Sequence, residues 1–423
     1  MNRFRRTSSL LGVTIAAVLV IAGCGSGSPS SATDNTPITL TLATFNKFGY
    51  SDAMLAQYHT LHPNVTVVQN IAATSQAAQD NMFTKLAAGS GLGDVEAVEV
   101  DWMPKLKQYA NLFVDLTTPE TKSRWLDWKS ASASVNGKLI GAGTDIGPEA
   151  ICYRSDPFVK AGLASDPAGV AKLLTGDWNN YYSVGQQFAA KKTGTAWFDS
   201  AGATFQGLAN QYQNFFEQND GTVIATTNPD VKAAFTSVLN ASATSSAHLQ
   251  EWSTDWNAGL ANGAWATMLC PSWMLGVISG TGPKVTDWKI ANVFPNGGGN
   301  WGGSFLTVPT QGKHTAAAKE LALWLTAPEQ QIAAFTTTGN YPSQVAAYTN
   351  PALTGATNPY FDNAPIGQIF AARAQAVKVT PYKGTKYAAI MQAVQDGLTR
   401  VESKKQTIDA SWVQVVSDIK ALS

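Results

Sequence analysis

The stretch NGKLIGAGTDIGPEAICYRSD, Asn136 to Asp156, decides how this chain is laid out. It reads as a turn, a strand, a segment interrupted by glycine and proline, and then another strand. A break of that kind, with no helix inside it, suits a chain that leaves one lobe and enters a second. Asp145 and Glu149 lie on the crossing, four residues apart. Two carboxylates invite comparison with a glycosidase acid/base pair, but such groups flank one bond from opposite sides and usually sit on separate elements. A role in polar ligation or in hydrogen bonding at a hinge fits this spacing better.

Upstream of the crossing the pattern is regular. ITLTLATFN (Ile38–Asn46) alternates and is β-branched, as a strand should be. SDAMLAQYHTLHP then reads as a helix capped by Ser51 or Asp52, with Pro63 beyond its end. NVTVVQN is a second strand, TSQAAQDNMFTKLAAGSG a helix closed by Gly89, and DVEAVEV (Asp94–Val100) a third strand. Strand, helix, strand, helix, strand implies a parallel α/β sheet. Ligands of such sheets sit at the carboxyl ends of the strands, which points to Asn46 and Phe48 after the first strand and to Asp101 and Trp102 after the third. Asp101 can also serve as a helix cap, because DWMPKLKQY starts a helix.

Downstream, Asp166 to Asn292 reads as mostly helical, with TAWFDS as a short strand. GAWATMLCPSWMLGVISG (Gly263–Gly280) reads as strand, turn and helix, which places Trp273 at another strand-to-helix junction, in a cleft or in the core. The stretch GGGNWGGSF (Gly297–Phe305) has the glycines of a phosphate loop, but no lysine follows and a strand, SFLTVPTQ, follows instead of a helix. Glycine lets backbone approach a ligand and undergo large φ/ψ changes. Trp301 and Ser304 could then meet the face and the hydroxyl rim of a sugar. HTAAAKELALWLTAPEQQIAAFTTTGNYPSQ is helix, break at Pro328, helix and a loop carrying Tyr341, and the tail is two helices split near Gln406.

Composition narrows the classes. The 423 residues hold 29 basic and 29 acidic side chains, so nothing points to nucleic acid, and only 14% are charged against 44% apolar. The 13 Trp, 12 Tyr and 17 Phe suit a binder of neutral polar ligands with apolar faces. Four scattered His and no H-x-x-x-H pair argue against a metal site, no cofactor motif is present, and no G-x-S-x-G elbow appears. MNRFRR followed by LLGVTIAAVLVIAG is an export signal, too short in its apolar run to argue for a membrane span. IAGC (Ile21–Cys24) resembles a bacterial lipobox, with Ile where Leu is more usual. That implies cleavage after residue 23 and a lipid on Cys24; a plain secretory signal is the alternative. Cleavage leaves 26 basic and 29 acidic residues, a formal charge of −3, and GSGSPSSATDNTP up to residue 37 becomes a flexible tether. Outside the cytoplasm Cys152 and Cys270 can pair, but sequence does not show whether their Cβ atoms meet.

The lipobox, KLAAGSGLGDVEAVEV, GKLIGAGTDIGPEAICYRSD, GAWATMLCPSW, GGNWGGSFLTVP and WLTAPEQQ come in the order found in extracellular solute-binding lipoproteins (family 1) of bacterial carbohydrate ABC transporters. The chain resembles that family over essentially its whole mature length. Through TFNKFGY, TDIGPEAICYR, CPSWMLG, VFPNGGGNWGGS and NPYFDNAPIGQIF it is similar to actinobacterial binding proteins for cellobiose and longer cello-oligosaccharides. The resemblance implies a periplasmic-binding-protein-like α/β fold of two lobes with hinge crossovers and the sugar in the cleft between them. Lobe 1 would be 38–145 plus 301–347, and lobe 2 would be 146–300 plus 348–423. The crossings would lie near Asp145–Pro148, Asn300–Gly303 and Tyr348. Cleft contacts would fall at Asn46, Phe48, Asp101, Trp102, Asp145, Trp273, Trp301, Ser304 and Tyr341, with Arg373 and Tyr387 as further candidates. The expected partners are an oligosaccharide, ABC permease subunits, and the membrane through the lipid; the expected state is a monomer with no cofactor, no metal and no catalysis. An exported glycoside hydrolase and a carbohydrate-binding adhesion lipoprotein are the alternatives.

Overall fold

β1 (Ile38–Phe45) pairs in parallel along its full length with β2 (Val65–Ala72), from Ile38 opposite Val65 to Phe45 opposite Ala72. The connection is α1 (Asp52–Leu61), whose first turn is capped by the Ser51 hydroxyl accepting from the Met54 amide. α2 (Ser75–Ala88) starts under the same kind of cap from Thr74 and ends at Gly89, which is left-handed at φ +69°. It leads to β3 (Val95–Glu99), parallel to β1 on its other side. This is a computed structural model that describes residues 36–281 and 284–422. The export signal, Cys24 and nearly all of the tether lie outside the described residues.

The first sheet is completed from elsewhere in the chain. β4 (Ala142–Gly143) and β8 (Ser304–Thr307) give it the order β2-β1-β3-β8-β4, with β8 antiparallel to both neighbours. The second sheet is antiparallel, in the order β7 (Trp288–Ala291), β5 (Glu149–Arg154), β6 (Thr267–Pro271). All six residues of β5 are buried because both faces are covered. Ile151 and Tyr153 face a core shared with the helices Trp178–Ala190, Pro229–Ser245, α3 (Ala201–Ala209) and α5 (Tyr387–Glu402), while β6 leads into α4 (Met274–Gly280). Ala150 and Cys152 face another, with Trp256, Trp265, Leu275 and Phe335. The first sheet has its own core around Leu40, Leu42, Val98 and Phe305. The fold is thus the expected two-lobed α/β one.

The chain passes between the sheets at residues 144–149 and again at 299–304, and the two passages run side by side. Glu149 N donates to Gly299 O, Trp301 N to Gly147 O, and Thr144 N to Ser304 O, at 3.0, 2.8 and 2.9 Å. Packing changes from one core to the other before Tyr348, although Ser343 and Val345 still bond to Leu126 and Arg124 of the first lobe. The helix Thr315–Leu325 packs on the first sheet's core, whereas Ile332 and Phe335 of the next helix, Pro328–Thr338, already belong to the second. The proline at its first turn lets the chain break and restart there. TAWFDS forms no strand run. It bends between single bridges and splits its bonds: Trp197 N donates to Ser245 O, while Trp197 O accepts from Thr267 N.

Cys152 and Cys270 form a disulfide between neighbouring strands of the second sheet, with Cα atoms 5.4 Å apart and 118 residues of separation. Cross-linking so long a loop removes much of the entropy of the unfolded chain. Replacing both cysteines by alanine is expected to lower the unfolding free energy by about 2–5 kcal/mol. Urea denaturation checks this, and coincident curves for the two proteins would count against the bridge.

Candidate functional site

The carboxyl ends of β1 and β3, the paired passages and the turn before α4 converge on one cavity of about 320 Å³. Asn46, Phe48, Asp101, Asp145, Trp273, Trp301 and Ser304 all line it. A second cavity, also about 320 Å³, adjoins it and shares Ser75, Gln76, Glu99, Asp101, Trp252 and Trp301 with it. Trp102 and Tyr387 line only this second space, and both are nearly buried. The Trp102 ring packs on Phe45 at 5.2 Å, so Trp102 is chiefly a core residue. Tyr341 and Arg373 line neither cavity. Tyr341 is buried against Tyr348 and Phe335. Arg373 instead donates from Nη1 to Gly297 O at 2.9 Å and so clasps the glycine stretch from outside.

Backbone contact explains the glycines. A Cβ on Gly147 would lie 1.8 Å from the carbonyl oxygen of Trp301. Gly302 and Gly303 have φ of +79° and +110°, which side chains other than glycine's rarely tolerate. This close weave presents the Trp301 carbonyl to Trp273, whose Nε1 donates to it at 2.8 Å. The two indoles meet edge to face, 5.8 Å between centroids. Trp252 stacks on Trp273 at 6.0 Å with 28° between the planes. Sequence reading passed over Trp252, yet it is 38% exposed and holds φ at +69°, a conformation costly for a bulky residue. Its only sequence signal is a tryptophan beside polar residues in QEWSTD.

The polar groups are partly spoken for. Asp145 Oδ1 accepts from Ser304 N at 2.9 Å and from Thr144 Oγ1 at 2.7 Å, while its other oxygen has no partner among the described residues. Glu99, rather than Asp101, caps the short helical turn after β3, accepting from the Asp101 amide at 2.7 Å. The Asp101 carboxylate is ion-paired with Lys383, across the cavity wall. Burial, reinforced by the Asp101 charge, pushes the Glu99 carboxyl up to about 8. Burial works to lower the Lys383 ammonium, but Asp101, Tyr387 and Glu99 outweigh it and hold it above the usual lysine value. Lys129 lies under the Phe305 ring, 3.9 Å from its centroid, and burial brings it down to about 8 against the pull of Asp145 and Glu99. Much of the charge here is matched internally, through Asp101 with Lys383, while Lys47 and one Asp145 oxygen stay open beside the aromatic groups. Among the described residues no cluster of His, Cys, Asp and Glu could hold a metal.

A two-lobed α/β chain with an aromatic cleft at its strand ends is built to capture a small polar molecule. The family described as bacterial extracellular solute-binding protein matches residues 53–360, and the chain belongs to it. A solved structure of an extracellular solute-binding protein of family 1 is 46% identical, covers 91% of this chain and 99% of its own, and superposes with a TM-score of 0.80. The arabinooligosaccharide-binding protein of Bacillus subtilis (strain 168) is 26% identical with 77% of each chain covered. An ABC transporter-associated binding protein of B. animalis subsp. lactis Bl-04, solved with β-1,6-galactobiose, shares the fold at 20% identity and a TM-score of 0.77, over 91% of this chain and 97% of its own. These relatives are solute-binding proteins, not enzymes.

Glu149 sits on the crossing with both carboxylate oxygens buried and no hydrogen-bond partner among the described residues. Burial pushes its carboxyl well above the usual range, with Lys383 pulling the other way. The folded state therefore keeps a proton that the unfolded chain releases near about pH 4.3. Stability should fall as pH rises above that value, by at most about 1.4 kcal/mol per unit for this group, with Glu99 adding a slope of the same sign. Glu149→Gln should flatten the dependence between about pH 5.5 and 7.5 and stabilise the protein at the upper end. Urea unfolding at the two pH values measures this, and an unaltered slope would show that Glu149 does not contribute it.

Proposed function

We propose that the chain is the ligand-capturing component of a bacterial sugar ABC importer. It takes a neutral oligosaccharide, of the cello-oligosaccharide type, between its two lobes and passes it to a membrane permease. The observation that carries this reading is the grouping of Trp252, Trp273 and Trp301 with Asn46, Asp145 and Ser304 around one cavity at the strand ends. Indole faces match the C–H faces of a pyranose, and the Asn46 amide, the Ser304 hydroxyl and the Asp145 carboxylate match its hydroxyls. The name of the B. subtilis relative supports an oligosaccharide; the cello-type assignment rests on the sequence segments quoted above. Lobe 1 is taken as 38–145 plus 301–347 and lobe 2 as 146–300 plus 348–423, with packing favouring a last boundary just before Pro328. Export and a lipid on Cys24 would hold a monomer at the outer face of the membrane, and no described helix is long and apolar enough to cross one.

Capture works by closure. A ligand touching both lobes binds the closed arrangement better than the open one and shifts the population by that difference. Phe48 and Asp101 stand on the first lobe's strand ends, Trp273 on the second's, and Trp301 on the passage between them, so one sugar can bridge them.

A thermal-shift screen over cello-, xylo-, malto- and arabino-oligosaccharides tests the class, since a ligand of the native state must raise the melting midpoint. No shift with any saccharide would remove the reading, while a shift with another series alone would overturn only the cello-type assignment. Trp252→Ala is the cleaner probe of the site, because that side chain makes no hydrogen bond among the described residues. It should weaken binding by about 2 kcal/mol, roughly thirtyfold, with little change in stability. Trp273→Ala should cost at least as much in binding and also loosen the passage by freeing the Trp301 carbonyl. Calorimetry on both variants checks this, and unchanged affinity in either would take that indole out of the site.

A further inference from the structure

The two adjoining cavities differ in chemistry. The first is walled by Phe48, Trp252, Trp273, Val277 and Trp301. The second carries six glutamines, Gln76, Gln79, Gln206, Gln250, Gln392 and Gln395. We infer that the second cavity is a separate amide-lined chamber that receives the units of an oligosaccharide beyond those held in the first, so that the protein selects for chains of three or more sugars. The inference rests on the carbohydrate reading of the first cavity.

Shape supports it. Tyr387, Met391, Gln395, Thr399 and Glu402 of α5 all line the chamber. Their spacing puts them along one face of the helix, so the wall runs for about 20 Å at 1.5 Å per residue. That is a trough for a chain rather than a cup for one ring. Its other sides are the start of α3, where Gly202 and Ala203 leave room, and the first turns of α2. The shared Trp252 and Trp301 stand at the junction, where a chain running from one chamber to the other would pass them. Each cavity alone lies near the lower end of the about 300–1,000 Å³ usual for ligand sites.

Chemistry supports it as well. Two of the carboxylates around the chamber, Glu402 and Asp101, are already committed. Glu402 Oε1 accepts from Ala201 N, Ser242 Oγ, Ser246 Oγ and His248 Nδ1, and Asp101 holds Lys383. The side-chain amides of Gln79, Gln250 and Gln395 have no hydrogen-bond partner among the described residues. Each offers two donors and an acceptor to vicinal hydroxyls without adding charge. In the same wall the buried Glu251 Oε1 also lacks a partner. A buried polar atom of that kind costs stability unless something fills it. A neutral, hydroxyl-rich chain satisfies these groups, and a charged ligand does not.

Isothermal titration with the di-, tri- and tetrasaccharide of the series that binds, on the native protein and on Gln395→Trp and Gln395→Ala, tests the chamber. In the native protein the tri- and tetrasaccharide should bind at least about tenfold more tightly than the disaccharide. Gln395→Trp, which fills the trough, should bring all three within about twofold of the native disaccharide affinity. Gln395→Ala should lose part of the advantage of the longer chains, and melting curves confirm that each variant is folded. Equal affinity for all lengths in the native protein would overturn the chamber and leave the carbohydrate reading standing. So would an equal loss of disaccharide and tetrasaccharide in Gln395→Trp. Absence of binding by every saccharide would overturn the reading of function, and the inference with it.

Discussion

The constraint on which the rest depends is the backbone contact between two passages of the chain, where Gly147 lies against Trp301. The Trp301 amide donates to the Gly147 carbonyl, and no side chain fits at 147 without striking the Trp301 carbonyl. Two strands that close have one relative register, and that register sets the site. It brings Asp145 under the Ser304 amide, turns the Trp301 carbonyl to the Trp273 indole, and lets the Val100 amide reach Gly303 O at 2.9 Å. Residues 99–101, 145, 273 and 301–304 come from four separate parts of the chain. The woven passages hold them within one cavity.

The same weave explains why so much charge is buried here without making a catalytic centre. Glu99, Lys129, Asp145 and Lys383 lie near one another: Lys383 is paired with Asp101, Asp145 accepts from the Ser304 amide, Glu99 accepts from the Asp101 amide, and Lys129 feels Asp145 and Glu99 while it lies over the Phe305 ring. Buried ions seldom add net stability over apolar packing, though losing one partner is costly. Their value in this fold is positional. Asp101 comes from the end of β3 and Lys383 from the segment just before α5, so their pairing ties the first sheet to the helix that forms the long wall of the second chamber. Reaction chemistry needs a group poised to change state against a substrate. Here several ionisable groups are tied up in pairs and backbone bonds, and the aromatic and amide groups line the open space.

Much of this was legible in the sequence because it is local. Period-two and helical patterning, with Ser51 or Asp52 at one helix start and Gly89 at another helix's end, matches the first three strands and two helices nearly to the residue. The glycine-broken stretch at Asn136–Asp156 marked the crossing, and seven of the eleven candidate cleft residues meet in the first cavity, with two more on the second. Orientation was harder to read. Trp102 and Tyr341 carry the right side chain at a plausible position, but whether an indole or phenol faces a cleft or a core depends on what packs over it. Phe45 covers one, and Tyr348 with Phe335 covers the other. The change of core near Pro328 was illegible for a similar reason, since the helices on either side look alike in pattern and differ only in which core they join.

Trp252 and the glutamines were invisible for a deeper reason. Core positions announce themselves by periodicity, because burial repeats with the geometry of the element. Trp252 lies on no element, breaks the φ preference of its own residue type and remains exposed, so no local rule would place it where it is. Six glutamines drawn from α2, α3, the Gln250 loop and α5 form no motif along the chain, and each alone reads as an ordinary surface amide. They become a site only when the third dimension gathers them against a shared space. The aromatic part of the cleft can therefore be sought from tryptophans near strand ends, whereas the amide-lined part depends on side chains whose sequence signal is indistinguishable from solvation.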